Sequence, residues 1–215
     1  MKLSFQQLCA GLCITAILIA CLSMHFVLRW GLPVDTDASR QIQFVASNQG
    51  IWKLGWLSWN LAAIALLCFC AMLYQHSNRA LTPKLGLFCV AIAVFPDLRA
   101  EYLLGFGLSE LALVASAEEF VALQHRGIQL TGVYANGLYN IGGLMLTLSL
   151  LTESKLARGV AGIGIISWLI GLSLSFSTLA GNFKASELAT ASSMSLNLIF
   201  MGLVSIRLFG KPINT

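Results

Sequence analysis

Apolar residues run almost unbroken through six stretches of this chain, at 8–28, 54–74, 85–107, 127–151, 156–180 and 185–208. None alternates apolar with polar residues, which excludes membrane β-strands. Each is long enough to cross a hydrocarbon core of about 30 Å as a helix. The pattern predicts an all-α, polytopic membrane helix bundle of about six spans. It forms a single domain over residues 1–215 with almost no soluble part.

The polar connections carry weaker signals. In "RWGLPVDTDASRQIQFVASNQGIWK", Thr36 or Asp37 is placed to cap a short surface helix bearing Ile42, Phe44 and Val45. Trp52, Trp56 and Trp59 then recur at helical spacing, the arrangement expected of an aromatic belt at headgroup depth. The later connection "SELALVASAEEFVALQHR" reads as the fraying end of the third span followed by an amphipathic interfacial piece. Near the N-terminus, "LIAC" at 18–21 has the residue types of a lipoprotein cleavage site, with Cys21 as the first retained residue. The apolar run continues through "LSMHFVL" to Arg29, longer than a signal segment, and predicts an uncleaved span.

Lysine and arginine in the connections set the expected orientation. With a cytoplasmic N-terminus, the inside carries Lys2, Arg79, Lys84, Lys155, Arg158, Arg207 and Lys211. The outside carries Arg29, Arg40, Lys53, Arg126 and Lys184, so the bias is seven against five. Both termini are expected in the cytoplasm.

Composition agrees with the class. The chain is 57% hydrophobic and 10% charged, with a mean hydropathy of +0.80, whereas soluble domains carry about 25% charged residues. The lipid bilayer is the implied partner; a homo-oligomer or another membrane protein would be compatible with it. The net charge of +4 is spread over loops, which argues against nucleic acid. All six cysteines fall inside the predicted spans and read as small buried hydrophobes. His25, His76 and His125 sit at three different span ends, so neither a metal nor another cofactor is expected. The glycines of span five lack the Lys-Ser/Thr of a phosphate loop and suit close helix packing.

One segment departs from the apolar pattern. In "FCVAIAVFPDLRAEYLLGFG", Asp97, Arg99 and Glu101 follow directly on Pro96. Three such groups at mid-span disfavour insertion by about 8 to 10 kcal/mol, and the apolar neighbours return about 5 to 9. The span therefore needs polar partners within the bundle. Asp97 and Glu101 stack one turn apart, while Arg99 projects about 160° away. Pro96 predicts a kink or a break into two half-helices.

The fourth span offers a counterpart. In "TGVYANGLYNIGGLMLTLSLL", Gly132, Asn136, Tyr139, Asn140, Gly143 and Thr147 fall in one stripe about 100° wide. Counting from the inner surface, Asp97 lies at about 18 Å and Asn136 at about 16 Å. The expected site is thus an intramembrane polar layer of Asp97, Arg99, Glu101, Asn136, Tyr139 and Asn140, with Asn197 from span six. Three readings of it stand. A small transporter or proton- or ion-handling protein would use the acids as exchanging groups. A structural, sensory or assembly protein would use the layer only to fix packing. A lipid-acting enzyme would use the carboxylates as acid and base, but no nucleophile accompanies them, so an enzyme is the least expected.

The blocks "VASNQGIWKLGWLSWNL" and "TGVYANGLYNIGG" resemble those of a bacterial family of small six-helix membrane proteins known as a domain of unknown function. The resemblance implies that fold and a bacterial inner-membrane setting. It gives no residue a role, and names no substrate or ligand.

Overall fold

The computed structural model describes residues 4–34, 37–78, 80–114 and 116–210. The described residues are helical for the most part and contain no strand. The helices are α1 (Phe5–Phe26), α2 (Ala38–Ser47), α3 (Gln49–Gln75), α4 (Leu81–Tyr102), α5 (Leu108–Val114), α6 (Ala117–Ile128), α7 (Asn136–Thr152), α8 (Arg158–Leu179) and α9 (Phe183–Arg207). Two π-helical segments, Leu103–Gly107 and Gln129–Ala135, weld α4 to α5 and α6 to α7.

Five stretches are long and apolar enough to cross a membrane: Phe5–Phe26, Gln49–Gln75, Leu81–Val114, Arg158–Leu179 and Phe183–Arg207. They fit a multi-pass membrane protein. The expected count was six, and the odd one out is the fourth span. Its regular α-helical part is 17 residues, and its amides, tyrosines and glycines dilute the apolar run. That composition suits a helix with much of its surface packed on other helices, while Ile141 and Leu148 remain exposed.

Pro96 neither breaks nor ends its helix: α4 runs through it to Tyr102. One proline removes one ladder bond, which a packed span tolerates. The irregularity falls later, where Leu108 N–H bonds the Leu103 carbonyl five residues back. The wider winding leaves the Leu104 carbonyl to accept from Trp52 Nε1 at 2.7 Å. The expected fraying end is absent too. The third rod stays helical to Val114, 34 residues or about 50 Å from Leu81. Ser116 then opens α6 with a capping box to Glu119, and the expected interfacial piece is continuous with the fourth span.

The first described residues and the last lie together, since Ser4 Oγ donates to the Phe209 carbonyl at 2.7 Å. Gln6 Nε2 donates to Gln75 Oε1 at this same near end. At the far end, a second hydrophobic cluster of Leu28, Val45, Trp52, Trp56, Leu104, Leu108 and Phe120 caps the bundle. Asp37 caps α2 as one of the two residues expected to, accepting from Ser39 and Arg40 N–H; Thr36 lies outside the described residues. Gln124 Nε2 ties the cap together, donating to Gly31 O and Gln41 Oε1, both at 2.8 Å. Trp52 is fully buried here and Trp56 nearly so. These indoles are core, not the expected lipid-facing belt; the exposed one is Trp30.

Small residues set how closely the rods approach. Gly142 of α7 meets Gly86 of α4, and a Cβ on Gly142 would strike the Gly86 carbonyl oxygen and Val90. Gly143, one residue on, receives the Trp168 ring of α8. A Gly142→Ala variant should lose about 1 to 3 kcal/mol through overpacking, read as a lowered thermal unfolding temperature in detergent. Gly162→Ala, where the added carbon meets nothing within 4 Å, should leave that temperature unchanged or slightly raised.

Candidate functional site

The inward face of α4 carries Ala93, Asp97, Ala100 and Glu101, all buried, while Phe88, Ile92, Phe95, Arg99 and Tyr102 are exposed on its outward face. A straight helix dictates this division once Asp97 and Glu101 point in. Arg99 therefore leaves the expected layer. Its guanidinium sits 5.9 Å from the centre of the Tyr102 ring, and no ion pair joins it to either acid among the described residues. Asp97 and Glu101 are 6% and 1% exposed, so two carboxyl groups share a buried place with no cation between them.

Asp97 has a close partner on the fourth rod. Thr131 Oγ1 donates to its Oδ1 at 2.6 Å. Thr131 belongs to the π-wound segment of the fourth rod, and Glu101 stands two residues before the π-wound segment of the third. Such segments are rare and recur at functional sites. The buried Tyr139 hydroxyl stands within reach of Asp97, though it does not complete a hydrogen bond of good geometry. Both oxygens of Glu101 are likewise buried and unpartnered. An unsatisfied buried polar group costs about 1 to 3 kcal/mol, so these atoms mark a place that packing alone does not explain.

The amide half of the expected layer turns elsewhere. Asn136 Nδ2 donates to Gly171 O at 2.7 Å and to Ser175 Oγ at 2.9 Å, both on α8. Asn140 Nδ2 donates to the Asn136 carbonyl at 2.6 Å and to Asn136 Oδ1 at 3.0 Å. Gly171 leaves room for the Asn140 amide, and a Cβ there would force that side chain to move. Trp168 Nε1 adds a bond to Thr147 Oγ1 at 2.9 Å. The Asn–Gly–Thr stripe thus faces α8 instead of α4. Of its members, Tyr139 is the one set beside the acids. Asn197 is buried on α9 with its Oδ1 unpartnered and no bond to Asp97 or Glu101. Nearby on α9, Ser193 exchanges two bonds with Ser167 of α8, at 2.9 and 3.0 Å.

A chamber of about 400 Å³ opens on the other side of Thr131 from Asp97. Thr131 and Asn136 lie in its wall, so the donor that holds Asp97 also faces this space. Trp59, Met194 and Leu198 belong to the same wall. Towards the far end, Arg29 and Glu187, which also line it, form an ion pair at 3.3 Å. Sequence reasoning missed Thr131, Ser175 and this ion pair. Thr131 lies at the start of the quoted "TGVYANG" block, but a regular helical wheel gives no hint of π winding. Among the described residues, no group of three side chains able to hold a metal comes together.

Arg99 supplies a direct test of the division. Because Arg99 is exposed and has no ion pair among the described residues, Arg99→Gln should change unfolding stability by less than about 0.5 kcal/mol. Were it a partner of the buried acids, its loss would cost about 3 to 5 kcal/mol. Chemical unfolding of both proteins in the same micelles separates the two values.

No family model matches the chain, and neither a curated protein nor a solved structure matches it. The reading of function accordingly starts from the geometry.

Proposed function

We propose that this protein is a small carrier or ion-handling protein of a bacterial inner membrane, in which Asp97 and Glu101 exchange a proton or bind a cation. The observation that carries the reading is the pair of buried carboxyl groups, one turn apart, with Arg99 directed away. A layer serving only packing would be expected to close its charges on each other, and here Arg99, the cation between the two acids in sequence, does not take part. Ionisable groups inside a membrane bundle are costly to keep and are used for proton relays and ion paths. The chamber behind Thr131 offers the approach, and the Tyr139 hydroxyl stands beside Asp97 as a further donor.

Six crossings belong to the same proposal. Five would leave the chain ends on opposite faces, whereas Ser4 bonds the Phe209 carbonyl. The fourth rod, α6 through α7, is the remaining crossing. Both termini are assigned to the cytoplasm on the Lys and Arg bias; Lys2, Arg79 and Lys211 of that count lie outside the described residues. The family resemblance of the Trp and Asn blocks supports the bacterial setting.

A second reading, that the polar residues only fix helix packing, is favoured for one half of the layer. The amide groups of Asn136 and Asn140 close on each other and on α8. That reading leaves Glu101 and Tyr139 without an account.

Purified protein in liposomes, tested for proton and monovalent-cation flux, decides between them. Wild type should exceed protein-free liposomes. Asp97→Asn and Glu101→Gln should each fall to that background while keeping wild-type yield and elution volume. Background flux in all three proteins would retire the carrier reading.

A further inference from the structure

We propose that the chamber behind Thr131 binds a single-chain amphiphile with an anionic head, its chain lying along α9 and its head at Arg29. The inference is separate from the carrier reading and stands whether or not Asp97 and Glu101 move protons.

The wall chemistry points to an alkyl chain. Thr131 donates to Asp97, and Asn136 donates to α8. Thr178 Oγ1 donates to the Leu174 carbonyl, Ser186 Oγ to the Asn182 carbonyl and Thr190 Oγ1 to the Ser186 carbonyl. These hydroxyl and amide groups of the wall are therefore already engaged and offer little to a polar solute; the buried indole N–H groups of Trp56 and Trp59 are the wall donors left without an acceptor. What the wall presents is apolar surface from Leu18, Met24, Leu174, Met194 and Leu198. Burying a chain against it is favourable in proportion to the area covered.

Shape and charge narrow the class. α1 and α9 are tied together at the near end, through Ser4 to Phe209 and Gln7 to Ser205. They flank the chamber only further along, at Leu18, Cys21, Met24 and His25 on α1 and from Phe183 to Leu198 on α9. That stretch of α9 is about 22 Å long. A volume of about 400 Å³ falls at the low end of small-ligand pockets, which run about 300 to 1,000 Å³, and suits a single chain. At the far end Arg29 pairs with Glu187, the one acidic partner it has among the described residues, and both side chains are about a third exposed. A guanidinium has five N–H donors, so Arg29 can take an oxyanion as well as Glu187. His25 lines the same side. A fatty-acid carboxylate and a lysophospholipid phosphate share the required chemistry.

The test uses full-length protein in lipid nanodiscs and palmitic acid bearing a chain diazirine, with adducts located by mass spectrometry. Adducts should fall on chamber residues such as Met24, Met194 and Leu198 and be suppressed by unlabelled palmitate. Met194→Trp and Thr190→Phe, which fill the chamber, should remove them; the variant that keeps the wild-type unfolding temperature is the one to score. Arg29→Gln should weaken competition by palmitate about fivefold and leave competition by hexadecanol unchanged, whereas Glu187→Gln should strengthen palmitate. Competition by lysophosphatidylcholine against palmitate tells a phospholipid source from a free acid, and either supports the proposal. Adducts confined to outward residues such as Leu22 and Ile199, or undiminished in a folded filling variant, would overturn it. Equal loss of palmitate and hexadecanol competition in Arg29→Gln would overturn the assignment of the head.

Discussion

Two carboxyl groups withdrawn from water on one face of one helix, with no cation beside them, constrain the rest of this bundle. A buried charge without a partner is among the least favourable things a fold can hold. Here the helix that carries the acids places its arginine on the opposite side, where Tyr102 and the outer surface receive it. Relief for Asp97 comes instead from a neutral donor, Thr131, presented by a π-wound stretch of the neighbouring rod. Glu101 and Tyr139 are held in the same region with their polar atoms unspent.

The surrounding polar and small residues divide the work of keeping that arrangement in register. Gly86 and Gly142 let α4 and α7 approach to backbone contact, which brings Tyr139 to the level of the acids. Asn136, Asn140 and Gly171 lock α7 onto α8 from the other side. The two π-wound stretches fall where the third and fourth rods leave the membrane-like core and enter the far-end cap. Leu104 of one packs against Gly127, just before the other. A lateral chamber is left between the near-end ties of α1 to α9 and the Arg29–Glu187 pair at the far end, and its wall includes Thr131, the donor to Asp97.

Much of this was legible in the residues. The apolar runs located the long helices, Asp37 was one of the two caps expected for α2, and the four-residue spacing put Asp97 and Glu101 on one face. The same spacing already held Arg99 about 160° away, yet charge complementarity drew it into the expected layer. The stripe of Asn136, Asn140, Gly143 and Thr147 is real, but periodicity says which residues share a face and not which neighbour that face meets. Serines and glycines of α8 satisfied the amides better than a carboxylate pair on α4. Tryptophans at a span mouth suit a belt equally with a cap, and burial decided for the cap. Pro96 drew attention as a breaker, whereas the irregular winding occurs at 103–107 and 129–135, where glycine and polar residues give no comparable sequence mark.

Cysteine cross-linking in a variant freed of its six native cysteines measures the central arrangement most directly. The pair Asp97→Cys with Thr131→Cys should form a disulfide rapidly on mild oxidation in membranes, while Arg99→Cys with Thr131→Cys should not. Cross-linking of position 99 to 131 as fast as 97 to 131, or none from position 97, would contradict a bundle in which the acids face inward and the arginine faces out.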